Sequence, residues 1–254
     1  MTIARRSSSP RALAALLLAV AVAATVPVGI LATVLPRPVF PPPPPLAIQS
    51  VSISPDPPAP DAPVIVTVQL SHGGTSVAVG LGYVAGFGSR SSGGLSLTPA
   101  AGRTFRGSIG PFQPGTEVWY VVIATAPGED PVQSDYSVFR VGSVLRGGPS
   151  SLAIANVTRS PIQPSPFDSV TVRAEVRSNW TLTAVDLQSL EIGAGFAFGM
   201  FSLMDRDGGN YTRLLYPIPD TRVAYRVIAQ DETGNTAISA VFTYVVPPDP
   251  GPFP

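Results

Sequence analysis

Apolar and polar residues alternate along several short segments of the chain, as they do in β-strands that bury one face. Residues 64–70 read Val-Ile-Val-Thr-Val-Gln-Leu, and residues 170–176 read Val-Thr-Val-Arg-Ala-Glu-Val. Further alternating segments begin at Val79 and Val118, and Gly, Pro, Asp and Ser separate the segments. The pattern predicts many short strands joined by turns, and little helix.

The strand pattern repeats along the chain. A shift of 106 residues places positions 48–112 on positions 154–218 without a gap, and one deletion then changes the shift to 105. The matched pairs include Val64 with Val170, Pro55 with Pro161, and Tyr120 with Tyr225. A copy of this length suits a β-sandwich of about 90–100 residues. We therefore predict an all-β protein with two tandem antiparallel β-sandwiches, at residues 48–145 and 154–246, joined by a linker at 146–153.

The second copy also carries a recognisable set of positions. They are Ser160-Pro161, Val170, Val172, Val185, Leu187, Met204, Gly208, Tyr211, Ile218-Pro219, Thr221, Val223, Tyr225, Val227, Ala229, Asp231, Gly234-Asn235 and Ser239. This set resembles the immunoglobulin-like and fibronectin-III-like modules that repeat in prokaryotic, especially archaeal, cell-surface proteins. The resemblance covers residues 48–141 and 154–246. It implies a fold and an extracellular location and brings no catalytic residue. The first copy departs from it, because Ala-Pro-Gly-Glu-Asp at 126–130 replaces the Asp-x-x-Gly-Asn turn.

The N-terminus indicates export. Arg5, Arg6 and Arg11 precede an apolar run at residues 12–35, which includes Pro27 and Gly29, and no acidic residue occurs before Asp56. The positive-inside rule then places residues 1–11 in the cytoplasm and the remainder outside. A run of this length can span a bilayer, and we favour a retained transmembrane anchor over a cleaved signal peptide, for which the small residues at 19–23 offer cutting sites.

Proline-rich segments flank the predicted sandwiches. Residues 36–47 include five consecutive prolines, which prefer the polyproline II conformation and form semi-rigid spacers. We interpret this segment as a stalk and residues 247–254 as a proline-rich tail.

Composition excludes several classes of function. The formal net charge is zero, all sixteen basic residues are Arg, and cysteine is absent. The basic patch of a nucleic-acid-binding protein is therefore missing, as are disulfides, thiol nucleophiles and Schiff-base lysines.

No group of residues predicts catalysis or a cofactor. His72 is the only histidine and lies in a predicted turn, without the partners that a triad needs. Asp205, Asp207 and Asn210 have the spacing of oxygen ligands that begin a calcium loop, but the later bidentate Glu is absent. A hairpin turn accounts for the same residues, as it does for Asp231–Asn235.

Three of the four asparagines begin N-glycosylation sequons, at Asn156, Asn179 and Asn210. All three lie in the second copy at predicted strand ends or turns, where a bulky glycan is tolerated. The sequence therefore predicts a glycoprotein.

The two copies differ on one strand face. Trp119, Val121 and Ile123 give the first copy an apolar outer face, where the second has Ala224, Arg226 and Ile228. The face is either an interaction surface for a partner or for self-association, or it is covered by a neighbouring strand, a loop or the other sandwich. Trp180, beside a sequon, is a candidate for stacking on carbohydrate.

These observations favour a non-enzymatic structural or adhesive protein, held at the membrane by its N-terminal segment and exposing two sandwiches to a protein or glycan partner. Two alternatives stay open. One is a subunit of an extracellular filament, in which the N-terminal segment or an extended strand passes between protomers. The other is a polysaccharide-binding accessory module.

Overall fold

A computed structural model describes residues 44–73, 76–87, 89–142 and 151–251, and all of their regular elements are β-strands. Within these ranges no helix is long and apolar enough to cross a membrane. The predicted anchor at 12–35, most of the stalk and most of the linker lie outside the described residues.

Eight strands belong to the first half of the chain: β1 (Ile48–Ser54), β2 (Val64–Leu70), β3 (Ala78–Gly86), β4 (Ser91–Ala101), β5 (Thr104–Ile109), β6 (Glu117–Thr125), β7 (Val132–Gln133) and β8 (Ser137–Arg140). Nine belong to the second: β9 (Ala153–Ser160), β10 (Val170–Arg177), β11 (Leu182–Gly193), β12 (Phe196–Leu203), β13 (Asp205–Asp207), β14 (Asn210–Leu215), β15 (Thr221–Asp231), β16 (Thr236–Ile238) and β17 (Phe242–Val246).

Each half folds as an antiparallel sandwich with the same strand order. In the first, β1, β2 and β5 form one sheet, β3, β6, β7 and β8 form the other, and β4 pairs with β3 and then with β5. In the second, the sheets are β13-β14-β10-β9 and β12-β11-β15-β16, with β17 also on β15. These are tandem sandwiches of the immunoglobulin-like and fibronectin-III-like kind.

The two cores occupy equivalent positions. Val66, Leu81 and Tyr120 lie in the first core, and their repeat partners Val172, Leu187 and Tyr225 lie in the second. The alternation of apolar residues therefore predicted the buried face correctly.

The repeat also reproduces a hydrogen-bonded detail. The Ser134 hydroxyl accepts a hydrogen bond from the N–H of Val122 at 3.0 Å, and the Ser239 hydroxyl accepts one from the N–H of Val227 at 2.9 Å. Each serine N–H donates back to the carbonyl of the same valine at 2.9 Å. These serines separate β7 from β8 and β16 from β17, so they satisfy the backbone where the last strand of each sandwich is interrupted.

The central strands are buried on both faces. Residues 117–124 of β6, 184–193 of β11 and 223–229 of β15 are all buried. One face of each strand contacts its own core. The other faces meet in a third apolar cluster, formed by Val84, Trp119, Val121, Ile123, Leu190, Ile192, Ala197 and Ala224. We call this cluster the inter-sandwich layer. The sheet that contains β3 and β6 therefore stacks on the sheet that contains β11, β12 and β15. We call these two the inner sheets, and their stacking gives four layers of sheet.

Candidate functional site

The apolar face that the sequence singled out lies inside the molecule. Trp119 is 1% exposed, Val121 and Ile123 are also buried, and all three belong to the inter-sandwich layer. The guanidinium of Arg226, from the second sandwich, lies 4.8 Å from the centre of the Trp119 ring. This face is therefore not an exposed surface for another molecule. Of the interpretations that the sequence left open, cover by the other sandwich is the one that the structure has.

Glycines let the backbones of the two sandwiches approach closely. A Cβ atom on Gly82 would lie 2.9 Å from the carbonyl carbon of Ala197. A Cβ on Gly94 would overlap the Ala197 carbonyl oxygen, and one on Gly199 would overlap the Tyr83 carbonyl. Glycine inside a strand is a known sign of close backbone approach. The glycines of β3, β4 and β12 were thus a sequence signal for this contact, and the sequence reading missed it.

A buried charge cluster crosses the inter-sandwich layer. Arg226 Nη2 of the second sandwich lies 3.0 Å from Glu117 Oε1 of the first, and both side chains are buried. Arg140 Nη2 lies 2.7 Å from Glu117 Oε2, and Arg226 Nε donates to Gln188 Oε1 at 2.9 Å. Burial lowers the pKa of Arg226, an effect that the charge of Glu117 opposes. Such a cluster requires one specific alignment of the two sheets, because a shifted alignment would leave buried charges unpaired.

A second charged contact lies further along the same layer. Arg90 Nη2 of the first sandwich lies 3.5 Å from Asp186 Oδ2 of the second. The Arg90 guanidinium also lies 5.5 Å from the centre of the Phe201 ring. Burial raises the pKa of Asp186 to about 6, although Arg90 opposes the shift. Glu191 is buried as well, and burial raises its pKa against the hydrogen bond from the N–H of Ile218.

The three sequon asparagines lie on the second sandwich in different surroundings. Asn156 Nδ2 donates to Glu175 Oε2 at 2.7 Å, and Asn210 pairs with Glu175 across β10 and β14. Asn179 lies in the turn between β10 and β11, where its Oδ1 accepts a hydrogen bond from the N–H of Ser151 at 3.0 Å. Asn156 and Asn179 are exposed, and Asn210 is half-buried. Their glycosylation stays a prediction.

The calcium candidates form part of a hairpin. Asp205 and Asp207 lie on β13, and Asp207 pairs directly with Asn210 of β14. Asp205 Oδ2 lies 3.9 Å from Arg213 Nη1, so a cation already neighbours this carboxylate. Over the residues that the structure describes, no three His, Asp or Glu side chains are grouped to hold a metal ion.

His72 holds the beginning of the first sandwich. Its Nε2 lies 3.1 Å from Glu129 Oε1, and its Nδ1 lies 3.1 Å from the Pro44 carbonyl oxygen. Glu129 also accepts a hydrogen bond from the N–H of Leu46 at 2.6 Å. These contacts join the turn at 126–130 to the segment that precedes β1. The contacts of His72 are thus explained by the fold of the first sandwich.

Large exposed apolar side chains gather at one end of the second sandwich. Val170 pairs with Leu215 and Thr171 pairs with Ser160, so the β9–β10 and β14–β15 loops leave the sheet at the same end. Four exposed residues lie in these loops, namely Ile162, Phe167, Tyr216 and Ile218. Phe167 is 75% exposed and Tyr216 is 72% exposed. We call these four residues the apolar end.

No protein-family model matches the chain, and no curated protein is similar to it. Solved structures similar to it include the FN1–FN3 domains of chicken CNTN1, at 14% identity and a TM-score of 0.29, covering 81% of this chain and 68% of that one. The fibronectin(III)-like modules of Clostridium thermocellum CbhA match at 11% identity and a TM-score of 0.28, covering 78% and 95%. A tetra-tandem repeat from the extending region of a large adhesion protein matches at 12% identity and a TM-score of 0.32, covering 79% of this chain but half of that one.

Proposed function

We propose that the chain is a non-enzymatic structural or adhesive protein of the cell surface, which presents a rigid pair of stacked sandwiches outside the membrane and is N-glycosylated. The observation that carries the proposal is the stacking of the inner sheets. Because β6, β11 and β15 are buried on both faces, the second sandwich has one orientation relative to the first. Its loops therefore form a fixed surface.

The apolar end is the adhesive surface in this proposal. Exposed large apolar side chains mark interaction sites when they cluster, because their contact with water is unfavourable. Phe167 and Tyr216 are aromatic, and aromatic residues are enriched in the centres of protein interfaces. The partner is a protein surface with a complementary apolar patch, on another molecule of the cell envelope or on a neighbouring cell.

The cell-surface location rests on the sequence. The arginines before residue 12, the apolar run at 12–35 and the proline-rich segment at 36–47 together describe an anchor followed by a spacer. N-terminal sequencing of the mature protein distinguishes an intact start from a cut near Ala23. An antibody raised against the two sandwiches should bind the protein on intact cells, and binding only after lysis would contradict this location.

Adhesion can be tested on cells that display the full chain. The double variant Ile162→Ser, Phe167→Ser removes two exposed apolar side chains without touching either core. We expect cell adhesion to weaken about tenfold, the effect of losing roughly 1.4 kcal/mol of binding free energy. Val138→Ser is the matched control, because Val138 is also exposed but lies on the first sandwich. If the double variant adheres as strongly as Val138→Ser, the apolar end is not the adhesive surface.

A further inference from the structure

A cleft of about 430 Å³ opens at the end of the second sandwich opposite the apolar end. One wall is the turn between β10 and β11, with Asn179 and Trp180, and the other is the β13–β14 hairpin, with Arg206 and Gly208. Tyr211, which is nearly buried, contributes to the lining. The volume lies within the range of about 300–1,000 Å³ that is usual for small-ligand clefts.

The side chains of this cleft suit a sugar. A pyranose ring has one face of C–H groups and a rim of hydroxyls, so it needs an aromatic surface and hydrogen-bonding groups around it. Trp180 is 45% exposed, and its backbone N–H bonds to the Ser178 hydroxyl at 3.0 Å, which fixes the turn. The electron-rich face of an indole attracts the slightly positive C–H groups of a sugar. Arg206 Nε donates to the Gly208 carbonyl at 3.3 Å, which holds a guanidinium rich in N–H donors on the facing wall.

The source of the sugar is indicated by Asn179, because this sequon asparagine is itself part of the cleft wall. Its Oδ1 is bonded to the N–H of Ser151, whereas a glycan is attached through Nδ2, so attachment leaves this bond intact. Asn156 Nδ2 instead donates to Glu175, and Asn210 lies opposite Glu175 on the neighbouring strand. Neither asparagine belongs to the residues that line the cleft.

We infer that the cleft binds the first sugar residues of an N-linked glycan on Asn179, which stack on the indole of Trp180. The inference rests on the proposed glycosylation and adds a specific function to one site. A glycan held in this way covers an exposed tryptophan and fixes the β10–β11 turn. It is thus ordered against the protein, unlike the glycans on the other two sequons.

The test uses tryptophan fluorescence of the full chain, made in a host that glycosylates Asn-x-Thr sequons. The chain has two tryptophans, and Trp119 is buried. Quenching by acrylamide therefore reports on Trp180. In the glycosylated wild type we expect both tryptophans to be protected from acrylamide. In Asn179→Gln, Trp180 should become accessible while Trp119 stays protected. Thr181→Val, which removes the sequon but keeps Asn179, should have the same effect. Asn156→Gln and Asn210→Gln are matched controls and should keep the protection.

Each other outcome overturns the inference. If mass spectrometry finds Asn179 glycosylated but quenching matches that of Asn179→Gln, the glycan does not occupy the cleft, although glycosylation stands. If Asn179 is unmodified while Asn156 or Asn210 carries glycan, only the assignment to Asn179 fails. If all three are unmodified, the glycoprotein proposal fails with it. If added chitobiose protects Trp180 in the Asn179→Gln variant, whereas the glycan attached to Asn179 in the wild type does not protect it, the cleft binds external glycans instead.

Discussion

Gly93 and Gly94 are neighbours on β4, and alanine should destabilise the protein at Gly94 but not at Gly93. Successive residues of a strand face opposite sides of the sheet. A Cβ at Gly94 would overlap the carbonyl oxygen of Ala197 in the other sandwich, and the Ala197 carbonyl carbon would lie only 3.3 Å away. A Cβ at Gly93 would meet nothing closer than the Tyr83 ring at 3.7 Å, an ordinary contact.

The size of the effect follows from this difference. Extra atoms in a packed layer cost about 1–3 kcal/mol, and the upper part of that range applies to Gly94 because a backbone carbonyl cannot rotate away. Replacing glycine by alanine also stabilises the folded state by about 0.4–1 kcal/mol, because it lowers the conformational entropy of the unfolded chain. This gain is seen in full only at positions where alanine causes no strain in the folded state. Gly94→Ala should therefore lower the free energy of unfolding by about 2 kcal/mol, and Gly93→Ala should leave it equal or slightly higher.

Calorimetry and urea unfolding of the purified full-length variants measure this difference. At about 2–4 °C per kcal/mol for a folded unit of this size, Gly94→Ala should melt about 4–8 °C below the wild type. The matched variant Gly93→Ala controls for the loss of glycine on the same strand. Equal melting temperatures for the two variants would refute the close approach of β4 to the second sandwich.

Three further changes test the charges and the repeat. Arg226→Met should lower the free energy of unfolding by about 1.5–3 kcal/mol in urea titrations, because Glu117 loses one of its two arginine partners and keeps Arg140. Recovery of most of this loss by adding Glu117→Gln is expected, and no recovery would contradict the pairing. Burial raises the pKa of Asp186 from 3.8 to about 6, so this residue favours the folded state below pH 4 and the benefit is lost as pH rises through 6. Asp186→Asn should thus be more stable than the wild type at pH 7.5, by up to about 3 kcal/mol, and no more stable at pH 4; a constant difference would exclude the titration. Ser134→Ala and Ser239→Ala should each cost about 1–2 kcal/mol, because each leaves a valine N–H without its acceptor, and strongly unequal losses would argue against equivalent roles.

Local rules were sufficient to predict the architecture of each sandwich. Alternation at 64–70 and 170–176 identified the buried faces of β2 and β10, since a strand with one buried face has a period of two. The repeat then aligned residues with the same contacts, down to Ser134 and Ser239. These features depend on neighbours within one sandwich, so the sequence of one copy carries enough information.

The stacking of the sandwiches was only one of several alternatives that the sequence left open, because it depends on residues from both copies. Asp186 and Gln188 lie on the face of β11 opposite to the core residues Val185 and Leu187, and both are buried. Their surroundings include Arg90 for Asp186 and Arg226 for Gln188, and neither contact follows from the sequence of one strand. Alternating polar residues are typical of a solvated strand face, so the pattern of β11 alone does not indicate the buried polar network in which these two residues lie.

The apolar face of β6 shows the same limit, in this case for apolar residues. Its composition showed that Trp119, Val121 and Ile123 required a cover, but composition alone cannot distinguish an external partner from the second sandwich. The glycines of β3, β4 and β12 add the missing information, because small residues on facing strands allow backbones to approach. Searching strands for glycine beside an apolar face would have favoured an internal contact.

Exposure of Trp119 to solvent tests the stacked arrangement most directly. In Trp180→Phe, Trp119 is the sole tryptophan of the chain, and the structure places it 1% exposed beneath Arg226. The stacked arrangement predicts blue-shifted emission and almost no quenching by acrylamide in the native full-length protein, with both properties lost on unfolding in urea. Native emission that is red-shifted and freely quenched would show that the sandwiches do not cover each other, and would contradict the account.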